Sequence, residues 1–388
     1  MSIFLSWRGY RRHDAPSRGP ARGSTIPFHQ RRQAMQTSPF LSLPALANVP
    51  TRIVEGWEVP YVLGNLEAEA DAAFAGAILC DASPLGRIEV RGADRLDFLH
   101  RLSTNDLLAC RVGEVTSTLF LTEKGRIVDR TFVLVRMDSV LLMTSAGAAG
   151  MLIDWLGKFI ITENISLHEV TDETGAACII GAHVDSALSA GIGRRLTENT
   201  WDSIPIGDIE VTVALVQERH GKRAFLMTPT QETKRLLLQV TDRGSTFGLR
   251  AAGYAASQIL RIYQGIPEGG TELTGEFTPY DVGLRDDISF TKGCYIGQEV
   301  IARLDTYGKI KKRPMGLIFP EGAAPRVGEM LERGGTAIGT ITSLAPSPFR
   351  GRLVGFAVVA DPALPDGGRL TAVPSGAICI ATSFPLTA

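Results

Sequence analysis

Apolar positions recur along this chain with two periods, and the switches between them mark its elements. From Ala68 to Leu79 small and apolar residues gather around Phe74 and Ile78, which predicts a short helix ending before Cys80, Asp81 and Pro84. In "GRIEVRGADRLDFLHRLSTND" Ile88 and Val90 alternate with polar neighbours as a strand does, and Asp94 then caps a helix carrying Leu96, Leu99 and Leu102. Thr116 to Leu121, Ile127 to Val135 and Val140 to Thr144 are β-rich runs parted by short polar turns, the pattern of an antiparallel meander. Ala146 to Ile160 places Met151, Leu152, Trp155 and Phe159 on one helical face.

A second mixed set follows from Thr171 to Val240. It contains strands at Ala176 to Ile180, Ile209 to Val216 and Ala224 to Met227, and helices at Ser186 to Leu196 and Thr230 to Val240. Tyr254 to Tyr263 is helical, Ile288 to Phe290 strand-like, and Val300, Ile301 and Leu304 share a helix face. After Arg313-Pro314, short strands at Gly316 to Phe319, Ala337 to Leu344, Leu353 to Val359 and Leu370 to Val373 predict a small all-β barrel. The expected architecture is α+β: a basic leader over 1–48, mixed domains over 49–170 and 171–308, and the barrel over 309–388.

Composition changes this picture little. The chain has 388 residues, 44% of them hydrophobic and 21% charged, with 41 Gly and 21 Pro, as in a globular protein rich in turns. A net charge of -1 argues against a surface built wholly for nucleic acid. The longest apolar candidate, Ser139 to Ile153, is broken by Gly and closed by Asp154, so no membrane span is expected. Five cysteines, none in a C-x-x-C pair, suggest neither a disulfide framework nor a zinc site. The first 34 residues carry seven Arg, no Lys and a single acid, Asp14. That leader reads either as an organellar transit peptide or as sequence ahead of a true start at Met35.

Three stretches are candidates for chemistry. In "KGCYIGQEV" (Lys292 to Val300) a cysteine precedes a helix start whose free amides, with the Lys292 charge, favour a thiolate. Cys294 is therefore either a reactive thiolate, or one that briefly contacts metal, or a small buried residue in a tight turn. A stable iron–sulfur cluster needs about four ligands, and no second cysteine lies near. His100, His168, His183 and His220 carry no protease-like signature, and no metal site is expected. In "EKGRIVDR", Asp129 interrupts an apolar strand, as a solvent-facing residue or as an acceptor for a ligand nitrogen. In "RIYQGIPEGG", Arg261 precedes a helix break and either grips a carboxylate in two parallel hydrogen bonds or makes an ordinary surface salt bridge. The basic run Lys309, Lys311, Lys312, Arg313 reads as a solvated linker or as a contact for RNA phosphates.

In this order, "FLHRLSTND" (Phe98 to Asp106), "STLFLTEKGRIVD" (Ser117 to Asp129), "RIYQGIP", "DDISFTKGCYIGQEVIAR" (Asp286 to Arg303) and "IGTITS" (Ile338 to Ser343) resemble the folate-binding superfamily of the glycine-cleavage T-protein and its YgfZ-type relatives. The resemblance implies a three-domain ring around a central hole that holds tetrahydrofolate or a one-carbon derivative. K-G-C-Y-x-G-Q-E is the YgfZ-type signature, and the T-protein's G-Y-T-G-E-D-G stretch is missing from Ala214 to Met227. The implied function is folate-dependent support of iron–sulfur cluster assembly or repair, through iron–sulfur client or assembly proteins. Asp129 stands where the T-protein keeps an aspartate on the folate nitrogen, so aminomethyl transfer is the alternative, and folate-dependent transfer-RNA modification a third. The implied catalytic residues are Cys294 and Asp129. The implied cofactor contacts are Asp129, Arg261, Lys292, Tyr295, Glu299 and Asn105, in a monomer that is cytoplasmic or, with a transit peptide, mitochondrial.

Overall fold

In a computed structural model of the chain, residues 35–386 are described, apart from 44, 45, 47, 307, 309, 348–351 and 362. The Arg-rich leader and Lys309 lie outside the described residues. Packed structure begins ahead of the expected position 49: Gln36–Thr37 pairs in parallel with Trp57–Pro60, and Phe40 is buried beneath the helices of the second domain.

The expected meander is present. It forms a five-stranded antiparallel sheet in the spatial order Val115–Leu121, Ile127–Val135, Ser139–Ala146, Leu85–Arg91, Ser166–Glu169. Helices Arg95–Leu102 and Ala149–Gly157 cover one face, where Phe98, Leu99, Leu152 and Leu156 meet Ile88, Phe120 and Val133. Asp94 flanks the first of these helices without bonding its free amides; its carboxylate instead accepts from the Asn164 amide at 2.7 Å.

A six-stranded sheet follows the order Thr200–Ile206, Ile209–Glu218, Gly221–Pro229, Thr174–Gly181, Ala77–Asp81, Leu249–Ala251. Ala77–Asp81 comes from the first part of the chain, so the sheets do not divide at residue 170. The expected helix over 68–79 is correspondingly shorter, Leu66–Ala75, because Gly76 ends it and Ile78 and Leu79 join the sheet. Only glycine fits at 76, where a Cβ would stand 2.9 Å from the Gly248 carbonyl oxygen. Helices Val184–Ile192 and Thr233–Ser245 bury Leu188, Leu236 and Val240 on one face of this sheet. Its other face stacks on the five-stranded sheet, bringing Cys178 and Phe225 against Phe132, Leu134 and Met143.

The C-terminal part is a closed barrel of Arg313–Phe319, Leu353–Val359, Thr336–Pro346, Met330–Arg333, Gly368–Val373 and Ile378–Thr382. Helix Tyr254–Gln264 ties it to the rest through Ile259, Ile262 and Tyr263, which pack on Ala345, Val354 and Leu386. The segment after that helix is irregular, with a single 3-10 turn at Arg285–Asp287 in place of the expected strand at 288–290, before helix Gln298–Thr306. No helix among the described residues is long and apolar enough to cross a membrane.

Candidate functional site

The two sheets, the irregular segment and the barrel meet at a cavity of about 1130 Å³. Val115, Ser117 and Arg130 of the five-stranded sheet line it, with Val216 and Glu218 of the six-stranded sheet. Ile266, Leu284 and Asp287 come from the irregular segment, and Pro314 and Phe384 from the barrel.

At its base lies a buried ion network that sequence reasoning did not assemble. Arg130 Nη1 donates to Glu218 Oε2 at 2.9 Å and Nε to Asp287 Oδ2 at 2.6 Å, and the Ser117 hydroxyl bonds Asp287 Oδ1 at 2.5 Å. The three charged side chains are all under 10% exposed, at 9%, 4% and 7%. Burial pushes the Glu218 carboxyl up, but Arg130 and Arg223 pull harder, leaving it below its ordinary value. Among the described residues Glu218 Oε1 has no hydrogen-bond partner; Arg223 Nε stands 3.5 Å away. The only trace of this network in the sequence is an arginine inside the apolar run "IVDRTFVLV".

Asp129 is buried, at 2% exposure, so the solvent-facing reading does not hold. Strand neighbours point to opposite faces, which puts Asp129 away from the cavity that Arg130 lines. It is paired with Phe120, whose ring packs edge-on against Trp155 at 5.7 Å in the core beneath the helices. Oδ2 accepts from the Ser145 amide at 3.1 Å. Burial raises its pKa to about 6, against the opposing pull of Ser145 and Arg130.

The "KGCYIGQE" loop does lead into a helix, but its charges are used differently from expectation. Lys292 is buried, and its ammonium donates to the carbonyl oxygens of His100, Ser103 at 2.7 Å and Asn105 at 3.0 Å. It therefore satisfies the end of helix Arg95–Leu102 rather than turning toward the thiol. Burial draws its pKa down to about 8, with Asp106 pulling it back. Tyr295 is buried beneath it, the ammonium 5.3 Å from the ring centre. Glu299 is exposed and pairs with Arg303 at 2.6 Å, four residues along the same helix. Gly297 has φ 86, and a Cβ there would lie 2.6 Å from the Thr122 carbonyl oxygen, so this turn requires glycine.

Cys294 itself is exposed and outside the cavity lining. The tight-turn reading of a small buried cysteine is thereby set aside. Cys80, Cys178 and Cys379 are buried, and burial pushes the half-buried Cys110 thiol up to about 11. A disulfide reagent added to the native protein should label one thiol rapidly, and Cys294→Ala should abolish that fast phase. Rapid labelling of Cys80, Cys178 or Cys379 would contradict the burial pattern.

The remaining candidates bond to other parts of the chain. Asn105 lies on the cavity lining, but its amide group donates to Ser117 O at 2.9 Å while its oxygen accepts from the Asp106 amide at 2.9 Å. Arg261 is buried in a junction with the barrel, bonding Gln258 Oε1 at 2.6 Å, Ser343 Oγ at 2.8 Å and Glu272 Oε2 at 3.3 Å. It is neither a surface ion pair nor part of the cavity lining. In the basic run, Lys311 and Lys312 are exposed, while Arg313 opens the barrel and donates to the Leu364 carbonyl.

Residues 47–292 match the family model described as the GCVT N-terminal domain. A candidate chloroplastic transferase of Arabidopsis thaliana is 32% identical over 291 residues, covering 72% of this chain; the chain spans 64% of that relative's length. The aminomethyltransferase of Thermoanaerobacter pseudethanolicus is 26% identical over 309 residues, or 78% of this chain and 84% of the relative. The crystal structure of the glycine cleavage system aminomethyltransferase T from Bartonella henselae superposes with a TM-score of 0.77 at 21% identity. It covers 91% of this chain and 98% of its own, so the fold is shared.

Proposed function

This chain belongs to the family defined by the GCVT N-terminal domain, and from that premise we propose that it binds a tetrahydrofolate and supports iron–sulfur cluster assembly or repair. The observation that carries the first half is the cavity of about 1130 Å³ where all parts of the fold meet. It is large enough for a ligand of folate size. Its residues suit one: Val115, Val216 and Ile266 offer apolar walls, and Glu218 keeps an acceptor without a donor. Glu218 lies within Ala214 to Met227, the stretch that lacks the T-protein's glutamate motif, so a carboxylate is available from that region after all. When bound, tetrahydrofolate supplies a nitrogen able to carry a one-carbon unit. The chain's own part is to enclose it and to exclude water.

The second half rests on Cys294. Its loop manages the turn through Gly297 and anchors itself through Lys292 and Tyr295, so the packing does not call for a thiol at 294. An exposed thiol outside the cavity suits exchange with a partner protein better than chemistry on the enclosed folate. The second reading is aminomethyl transfer, favoured by relatives named aminomethyltransferase; it needs the ligand to reach Asp129 on the other face of the sheet. A transfer-RNA partner would rest on Lys311 and Lys312.

Titration with 5-formyltetrahydrofolate, followed by tryptophan fluorescence, should be saturable. Cys294→Ala should leave that affinity unchanged while lowering the activity of iron–sulfur enzymes in cells. Absence of saturable binding would sink the folate half; unchanged enzyme activity would sink the thiol half.

A further inference from the structure

The barrel contributes a side chain to the cavity that none of the sequence motifs contains. Segment Ser383 to Leu386 leaves the barrel wall and crosses to helix Tyr254–Gln264, where the Leu386 amide donates to the Tyr263 carbonyl oxygen at 2.7 Å. At its start, the Ser383 amide and hydroxyl both bond Asp366 Oδ1, at 2.8 and 2.9 Å. Between these anchors sits Phe384, the one phenyl ring among the described residues lining the cavity.

That ring is held in place. It packs on Phe356 with centroids 4.8 Å apart and planes 34° from parallel. Gly265 and Gly316 make room for it: a Cβ at 265 would overlap the ring, and one at 316 would come within 3.1 Å of it. Gly265 also closes helix Tyr254–Gln264 in the left-handed conformation, φ 67, so the "QGIP" break serves both the helix end and the ring. Gln264, Gly265, Ile266 and Pro267 line the cavity beside Phe384. A fixed aromatic surface bordered by apolar side chains is a place for a flat ring.

We propose that Phe384 is a ligand-binding residue that stacks against the p-aminobenzoyl ring of a bound reduced folate. This rests on the folate reading of the cavity and adds which part of the ligand meets the barrel. In a reduced folate the pterin's second ring is saturated and puckered, whereas the p-aminobenzoyl ring stays flat, and flat rings stack. The pterin, rich in N–H donors, is then left to the polar base around Glu218.

The test measures tetrahydrofolate affinity for the wild type, Phe384→Leu and Phe384→Trp. Leucine keeps most of the packing volume on Phe356 and loses the ring, so affinity should fall about tenfold with the fold retained. Tryptophan at 384 should keep the affinity and report directly, its emission quenched by p-aminobenzoylglutamate and not by 6-methyltetrahydropterin. If the wild type binds and Phe384→Leu binds equally well, the stacking role is overturned while the folate reading stands. Quenching by the tetrahydropterin alone, or by neither fragment, also overturns it. If the wild type fails to bind tetrahydrofolate, the folate reading falls first and this one with it.

Discussion

Replacing Arg130 by methionine is expected to lower stability at neutral pH by about 3–5 kcal/mol, the range for breaking a buried ion pair from one side. The guanidinium bonds both Glu218 and Asp287, and its removal strips two buried carboxylates of that partner, leaving Glu218 only Arg223 at 3.5 Å. Part of the loss is packing, because the guanidinium carbon also sits 5.1 Å from the centre of the Phe132 ring. The pH dependence has a definite sign. Arg130 helps hold the Glu218 pKa below its ordinary value, a contribution present above the unfolded pKa and lost as pH falls through the folded one. The difference between wild type and mutant should therefore shrink in acid, when the stranded carboxylates protonate. Urea unfolding at pH 7 and pH 4 measures both, and Arg130→Met combined with Glu218→Gln and Asp287→Asn should recover most of the loss. A single mutant less than about 1 kcal/mol below wild type would mean that the network does not hold the sheets to the irregular segment.

The network shows where sequence reading stops. Strand Ile127–Val135 was legible from its apolar run, and so was an anomalous acid within it. The next residue, the arginine, was not, because its two partners lie 88 and 157 residues away. Lys292 was misread for the same reason: the carbonyls it holds belong to residues 187 to 192 positions earlier, and a lysine beside a cysteine looks in one dimension like its activator. Locally encoded features came through: the meander, helix Gln298–Thr306 and the barrel. Within the barrel, Met330–Arg333 and Ile378–Thr382 were missed because they are short and carry apolar residues on both faces. Ile378 and Ile380 are exposed while Cys379 and Ala381 are buried, so hydrophobicity alone gives no alternation. The placing of Ala77–Asp81 in the second sheet depends on Gly76, whose backbone approach to Gly248 is a purely tertiary fact.

Asp129→Asn should make the protein more stable above pH 6, by up to about 2–3 kcal/mol. The wild-type carboxyl has its pKa raised to about 6 by burial, from 3.8 in the ordinary state. Between those values the folded protein holds a proton that the unfolded chain has released, so wild-type stability falls as pH climbs from about 4 to 6 and is level beyond. A shift of about 2 units corresponds to about 3 kcal/mol. Asparagine carries no charge to bury, and its side-chain oxygen can still accept from the Ser145 amide. Thermal unfolding across pH 4–8 should thus show the wild-type decline and a flat mutant; parallel profiles would mean that Asp129 titrates normally. A substitution that stabilises this strongly raises the question of what the carboxylate does, because residues kept at such a cost are commonly functional. The same variant answers it. Under the iron–sulfur reading, with Asp129 on the face away from the cavity, folate affinity should change by less than about threefold. If the purified wild type turns over an aminomethylated lipoyl carrier and Asp129→Asn does not, the carboxylate serves one-carbon transfer, and the ligand must reach through the sheet edge to meet it.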